Sequence, residues 1–359
     1  MITERQATIL KAIVQQYIET GQPIGSKALM DLLPTHVSSA TIRNDMASLE
    51  QAGLIEKIHL SSGRVPSIQG YRYYLDNLLE PISVSEQMSE LIQSDFSEHQ
   101  FNKIDEIVAQ SVKILSNLTS YTAIALSPES KSVRLTDLRA LPLGANQVLA
   151  IVMTSNAEVY SQVYRLPNGF SGDQVEKIVR LVCDHLINKT LCEAQRWIKN
   201  EFPQVIKNYI EDPASLVSLL SDALEQVSGD HFFVDGQSNL LNYVDAPNST
   251  NLKFFYSLFE NDNNLSQLLG LHELTADPGD TIQEGINVRL GYDLNPQVLK
   301  NYSLITAKYD LADYGAGILA LLGPTNMPYS ELIGLISSLR QELAKNLINY
   351  FGELNGNSG

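Results

Sequence analysis

Seven consecutive residues, Ser38-Ser39-Ala40-Thr41-Ile42-Arg43-Asn44, carry hydroxyls, one guanidinium and one carboxamide with no acid among them. Arginine can pair in bidentate fashion with guanine and asparagine with adenine in a DNA major groove, while hydroxyls suit phosphates or base edges. At about 100° per residue, Ile42, Met46 and Leu49 share one helical stripe, and Ala40, Thr41, Arg43, Asn44, Ala47 and Ser48 share the opposite face. The small residues permit close approach, and Asp45 and Glu50 are read at the flanks. Further along, Ser61-Ser62-Gly63 followed by Arg64 makes a hydroxyl-rich basic tip suited to a phosphate backbone or a minor groove. Upstream, Ser26 and Lys27 open a second helix and are expected to hold the backbone. This is the chemistry of reading a duplex, not of breaking bonds.

The elements that must position these groups follow from spacing. Residues 3–20 show a helical period, with Ile9, Ile13 and Tyr17 beside Leu10, Val14 and Ile18. Gly21 ends that helix and Pro23 keeps it from resuming. A short helix runs from Ser26, a good N-cap, through Leu29, Leu32 and Leu33. After a turn at Pro34 to Val37, Ser38 or Ser39 caps a third helix that reaches about Ala52 and ends at Gly53. Leu54 to Leu60 reads as a strand, with His59 a plain strand residue, and Arg64-Val65 opens the return strand before Pro66. A linker helix is expected from Gln69 to Leu79, its Tyr71, Tyr73 and Tyr74 packing domain against domain. Three helices and a hairpin in this order are a winged helix-turn-helix.

The formal net charge of −16 is unevenly spread. Residues 1–80 hold seven lysines and arginines against eight acids, and the rest of the chain holds 18 against 33. A near-neutral module can present one basic face, while the acidic remainder repels phosphate at long range and opposes non-specific binding. No apolar run approaches the roughly 18–20 residues that span a bilayer. The polar start carries no secretory pattern, so a cytoplasmic location is expected, with no membrane partner.

Residues 84–119 read as one helix and Thr122 to Leu126 as a short strand. Leu135 to Leu141, Gln147 to Thr154 and Glu158 to Leu166 suggest an antiparallel meander. Helices are expected from Gly172 to about Phe202 and from Ala214 to Val227. Strands return at Phe232 to Val234, Asn287 to Leu290, Ser303 to Tyr309 and Gly317 to Leu322, before a closing helix from Ser330 to Phe351. The fold class is therefore α+β and multidomain, with one sheet domain interrupted by an insertion at about residues 131–227.

No catalytic constellation is found: nucleophile elbow, phosphate loop and His-Glu-x-x-His are all missing. Gly315-Ala316-Gly317-Ile318-Leu319-Ala320 matches a loose dinucleotide fingerprint, but no clear strand precedes it, so it is read as a turn. On one continuous helix Cys183 and Cys192 stand about 900° apart, on opposite faces, and are read as buried small hydrophobes. No metal and no cofactor is expected.

The runs Gly21 to Lys27, Val37 to Met46, Ser61 to Pro66 and Gly70-Tyr71-Arg72-Tyr73-Tyr74 together resemble the HrcA family, the bacterial heat-inducible transcription repressors. The resemblance covers essentially the whole chain. It implies a winged helix-turn-helix at 1–80, a GAF-like α/β domain split between 84–130 and 228–352, and an inserted α+β dimerisation domain at 131–227. It further implies a homodimer on an inverted-repeat operator of heat-shock chaperone operons, kept active by the chaperonin GroEL and released on heat stress. Two positions depart from the family pattern. Asn326 stands where an arginine is usual, and Asp293-Leu294 replaces a glutamate-asparagine pair, while Ser238-Asn239-Leu240-Leu241 keeps a family core. The DNA-binding set expected is Ser26, Lys27, Ser38, Ser39, Thr41, Arg43, Asn44, Ser61, Ser62, Gly63 and Arg64. A small-molecule-gated regulator using the GAF-like domain as sensor is the alternative.

Overall fold

Thr3 opens the first helix, α1 (Glu4–Thr20), through a capping box: its hydroxyl accepts from the Gln6 amide, and the Gln6 side chain accepts from the Thr3 amide. These details come from a computed structural model described over residues 2–34, 37–58, 63–101, 103–128, 133–144, 146–155, 159–166, 169–207, 213–228, 231–243, 249–270, 281–283, 285–294, 297–312 and 315–356. Gly21 closes α1 in the left-handed conformation at φ 64°. Ile9, Leu10, Ile13 and Val14 are its buried stripe. α2 (Ser26–Leu32) and α3 (Ser39–Gln51) pack across it, bringing in Leu29, Ile42, Met46 and Leu49. β1 (Ile55–Glu56) pairs antiparallel with β2 (Val65–Pro66), so the paired part of the wing is shorter than the expected strand. Residues 59–62, with His59 and the Ser61-Ser62 tip, lie outside the described residues. α4 (Ile68–Asn77) follows, capped by Ser67.

Beyond this module the chain forms α5 (Glu86–Ser97) and α6 (Ile104–Thr119), two helices where one was expected. Glu98 caps the first and Lys103 precedes the second, each helix carrying its own buried stripe. β3 (Thr122–Leu126) comes next and is buried along its whole length.

A meander follows, β4 (Leu135–Gly144), β5 (Gln147–Thr154) and β6 (Val159–Arg165), in that spatial order. Its inner face packs on α7 (Gly172–Leu186), α8 (Leu191–Asn200), α9 (Phe202–Ile206) and α10 (Pro213–Ser228), around Leu138, Val148, Val179, Ile198, Phe202 and Leu220. The single helix expected up to Phe202 is thus broken. Asn188 adopts a left-handed φ of 66°, and Thr190 starts α8 with a capping box to Glu193. The continuous-helix argument about the two cysteines fails with it. Cys183 is nevertheless buried, its thiol 3.6 Å from Asp137 Oδ1, and burial raises its pKa. The side chain of Cys192 lies outside the described residues.

The chain then adds β7 (Phe232–Asp235), a 3-10 segment (Gln237–Tyr243), α11 (Ser249–Glu260), α12 (Asp262–Leu269), β8 (Thr281–Gln283) and β9 (Ile286–Leu290). It ends with β10 (Tyr302–Asp310), β11 (Ala316–Pro324) and α13 (Tyr329–Gly356). The six strands form one sheet in the order β7-β3-β11-β10-β9-β8. β3 runs antiparallel to both β7 and β11, and β9 runs antiparallel to both β10 and β8. One face carries Ile124, Leu304, Ile318, Ala320 and Leu322 into a core with Leu240, Phe255, Leu258, Leu265 and Leu268.

Helices α11 and α12 and strand β8 were not anticipated from the sequence. The loose fingerprint at Gly315 leads straight into β11 rather than into a helix, which removes its phosphate-binding meaning. Gly317 has a packing reason instead. A Cβ there would sit 2.2 Å from the Tyr309 hydroxyl, which donates to the Leu126 carbonyl at 2.8 Å. The Ser238 to Leu241 motif is likewise structural. Asn239 donates to the Tyr121 carbonyl at 3.2 Å, and Leu240 is buried.

The chain divides into two compact units. One holds Met1–Ser127, Phe232–Tyr309 and Gly317–Asn349; the other holds Pro128–His231, Asp310–Ala316 and Tyr350–Gly359. No helix of the described residues is long and apolar enough to cross a membrane.

Candidate nucleic-acid interface

The exposed face of α3 is built from its N-terminus. Ser38 caps the helix, its hydroxyl accepting from the Thr41 amide at 3.2 Å and lying 2.9 Å from the Thr41 hydroxyl. Ser39 is the first helical residue and shares a 3.1 Å hydrogen bond with the Ser26 hydroxyl. That bond sets the starts of α2 and α3 side by side. It also corrects the expected cap: α2 is capped at Gly25 without a side-chain bond, and Ser26 is already inside the helix. A hydroxyl has one proton and two lone pairs, so one of these two serines keeps a proton free for a further acceptor. Lys27 is exposed next to them.

One turn on, Arg43 and Asn44 are exposed, flanked by exposed Ala40, Ala47 and Ser48. Among the described residues neither the Arg43 nor the Asn44 side chain has a hydrogen-bond or ion-pair partner. Their donors can therefore pass to a ligand without breaking a contact to any of the described residues.

The other arginines of this module are committed. Arg5 on α1 donates from Nε to Asp45 Oδ2 at 2.7 Å and from Nη2 to Oδ1 at 3.2 Å, a bidentate clamp on a buried carboxylate. Asp45 thus lies beneath α3 rather than at its flank. The guanidinium of Arg5 is held charged by that hydrogen bond and by the Asp45 charge, against a small opposing effect of burial.

Arg64 donates from Nε and Nη2 to Glu50 Oε2 at 3.0 and 2.7 Å. Lys57 reaches Glu50 Oε1 at 3.1 Å. Partial burial pushes the Glu50 carboxyl up, but the hydrogen bonds and charges of Lys57 and Arg64 outweigh this and hold it below the ordinary glutamate value. The backbone of Arg64 also exchanges hydrogen bonds of 2.8 and 3.0 Å with Ile24. Gly63 has to be glycine for the same approach, since a Cβ there would lie 2.4 Å from the Ile24 carbonyl carbon. Of the residues expected at the wing, Gly63 and Arg64 therefore fix its base, and Ser61 and Ser62 lie outside the described residues.

Helix α4 connects the module to the sheet. Arg72 donates from Nη1 to the Val288 carbonyl at 3.0 Å and from Nη2 to Asp293 Oδ2. Tyr71 is buried edge-on against Tyr329, ring centroids 6.2 Å apart. The Tyr329 hydroxyl lies 2.6 Å from the Thr325 carbonyl and 2.7 Å from the Ser303 hydroxyl. Asn326 sits in this same loop, half-buried, with no side-chain hydrogen bond among the described residues. The guanidinium at this junction comes from α4. The sequence reading missed Arg5, Asp45 and Glu50 because Arg5 and Asp45 are 40 residues apart and Arg64 and Glu50 14 apart, and no local pattern marks either pairing.

Fold and site together define a winged-helix DNA-binding regulator rather than an enzyme. A family model described as the winged helix-turn-helix transcription repressor, HrcA DNA-binding, matches residues 1–75, and one for the HrcA protein C-terminal domain matches 105–333. The heat-inducible transcription repressor HrcA of Lactobacillus acidophilus is 45% identical over 355 residues, covering 98% of this chain and 99% of the relative. That of Ligilactobacillus salivarius is 42% identical over 351 residues, with 98% and 99% covered. The chain belongs to the HrcA family of heat-inducible transcription repressors. In fold it is similar to a crystal structure of a hypothetical protein, with a TM-score of 0.59, 19% identity, and 98% and 100% of the two chains covered.

Proposed function

We propose that this repressor acts as a homodimer on an inverted-repeat operator upstream of heat-shock chaperone operons. Each subunit lays α3 in the major groove, with Arg43 and Asn44 at base edges and Ser38, Ser39 and Thr41 at base edges or phosphates. Ser26 and Lys27 hold the backbone, and the wing from Ser61 to Arg64 lies along the adjoining phosphates. Two-fold symmetry of the protein is then mirrored in the operator. The observation that carries the reading is the exposed Arg43-Asn44 pair, without side-chain partners among the described residues, on the face of α3 opposite its buried stripe.

The sheet β7-β3-β11-β10-β9-β8, with helices packed on it, supports a GAF-like domain drawn from 84–130 and 228–352. The outer face of the β4-β5-β6 meander exposes Leu141, Leu143, Val159 and Val163, which supports an inserted dimerisation domain at 131–227. The chaperonin GroEL keeps the cytoplasmic repressor folded; heat, or competition for GroEL by unfolded protein, lowers the active fraction and releases the operons. The test is a gel-shift titration at fixed salt comparing a chaperone-promoter inverted repeat with a scrambled duplex, with and without GroEL. Preference for the repeat, strengthened by GroEL, is the expected result. Equal affinity for both duplexes in both conditions overturns the reading.

A further inference from the structure

Glu50 lies where a DNA-reading helix would not be expected to hold an acid. It follows Arg43 by seven residues, which on an α-helix is about 20° around the axis and about 10.5 Å along it. The carboxylate therefore shares the Arg43 stripe rather than a flank, as the sequence reading had it. It is not left to face phosphate unpaired. Both of its oxygens receive cations, Oε2 from Arg64 and Oε1 from Lys57, at 2.7–3.1 Å. These two cations stand on the two sides of the wing, Lys57 just after β1 and Arg64 just before β2.

We infer that Glu50 is a built-in restraint on sequence-independent affinity: its carboxylate occupies the two wing cations as a phosphate would, and so weakens their hold on DNA of any sequence. The inference rests on the DNA-binding reading of α3 and the wing.

The physical case is a balance of charge and of donors. With Glu50 ionised, the cluster carries one net positive charge; with a neutral residue there, it carries two. Each cation that gains a phosphate releases condensed counterions, which adds affinity without reading a base and steepens the salt dependence by about 0.9 per phosphate. Lys57 and Glu50, at 39% and 30% exposed, open the Lys57 side of the cluster to an incoming phosphate, while Arg64 is 18% exposed beneath them. A phosphate must displace a carboxylate already in place, so a non-specific encounter gains little. Base contacts by Arg43 and Asn44, present only on the right sequence, bear the discrimination.

The test uses the full-length protein and fluorescence-anisotropy titrations on the inverted repeat and on a scrambled duplex, at four salt concentrations. Wild type, Glu50→Gln and the double variant Glu50→Gln with Arg64→Gln are compared after thermal unfolding confirms that each is folded. Glutamine keeps the size and one acceptor and removes the charge. The expected result is a three- to tenfold gain in scrambled-duplex affinity for Glu50→Gln and a steeper salt slope. The inverted repeat should gain by a similar factor, and the gain on both duplexes should be reversed in the double variant. Unchanged scrambled-duplex affinity and slope, or weaker binding to both duplexes, overturns the inference and leaves Glu50 as a brace for the wing. A wild-type protein that does not distinguish the two duplexes overturns the DNA-binding reading itself, which is a separate outcome.

Discussion

The arginines of the first 80 residues differ less in position than in what already holds them. Arg5 and Arg64 are clamped on Asp45 and Glu50 and Arg72 on Asp293, whereas the exposed Arg43 side chain has no partner among the described residues. Replacing Arg43 with alanine should therefore abolish preference for the proposed operator while leaving the thermal midpoint and the proposed dimer unchanged, which anisotropy and sedimentation check together. Arg5→Ala should do the reverse. It strands the buried Asp45 carboxylate, lowers the unfolding midpoint, and weakens DNA binding only through the disturbed seating of α3. Glu50 adds a pH signature. Its folded pKa is depressed below the ordinary 4.5, so the stability it contributes is fully present above that value and is lost as pH falls through the lower folded value. The difference in unfolding midpoint between wild type and Glu50→Gln should be constant above about pH 5.5 and shrink toward pH 4. A difference that grows on acidification would contradict the Glu50 pairing. The Arg43 face was legible from its residue types, because a helix exposes what its apolar stripe does not use. The clamps were not, since they join residues with no local relation in sequence.

At the scale of elements, punctuation decided what could be read. Gly21 and Ser38 mark ends that a one-dimensional pattern carries, and α1, α3 and the β4-β5-β6 meander follow it closely. The breaks at Glu98 to Lys103 and at Asn188 were missed because apolar residues continue on both sides. α11 and α12 escaped because their apolar residues face a core drawn from distant strands. Close approaches are a second class that only the folded chain reveals. Gly63→Ala should lower stability and weaken DNA binding together, because the wing base has to move away from Ile24. Gly317→Ala should destabilise by about 1–3 kcal/mol through overpacking, read by denaturant unfolding. Its effect on operator affinity should appear only where the fold is already lost.

For the whole molecule, heat responsiveness calls for a body whose loss of structure removes DNA binding. α4 is bound to the sheet by Arg72 and to the start of α13 by the Tyr71–Tyr329 contact, so the winged helix and the sheet share one compact unit. Unfolding of that sheet should release the helix that carries the proposed reading head. Trp197 is the one tryptophan of the chain and lies in the helical core of the other unit, between His185 and Phe202. Its emission should therefore report that unit alone during heating, while DNA binding reports the first. If the exposed meander face is the proposed dimer interface, substituting Val163 with glutamate should shift the protein to monomer in sedimentation and weaken operator binding at least tenfold, with the Trp197 transition retained.

The central claim is that the α3 face reads sequence, and one titration tests it most directly: wild type and Arg43→Ala, at fixed salt, on the chaperone-promoter inverted repeat and on its scramble. The account predicts a strong preference for the repeat in wild type and its loss in Arg43→Ala, with scrambled-duplex affinity reduced only slightly. Retention of the wild-type preference in Arg43→Ala would contradict the assignment of α3 as the reading helix.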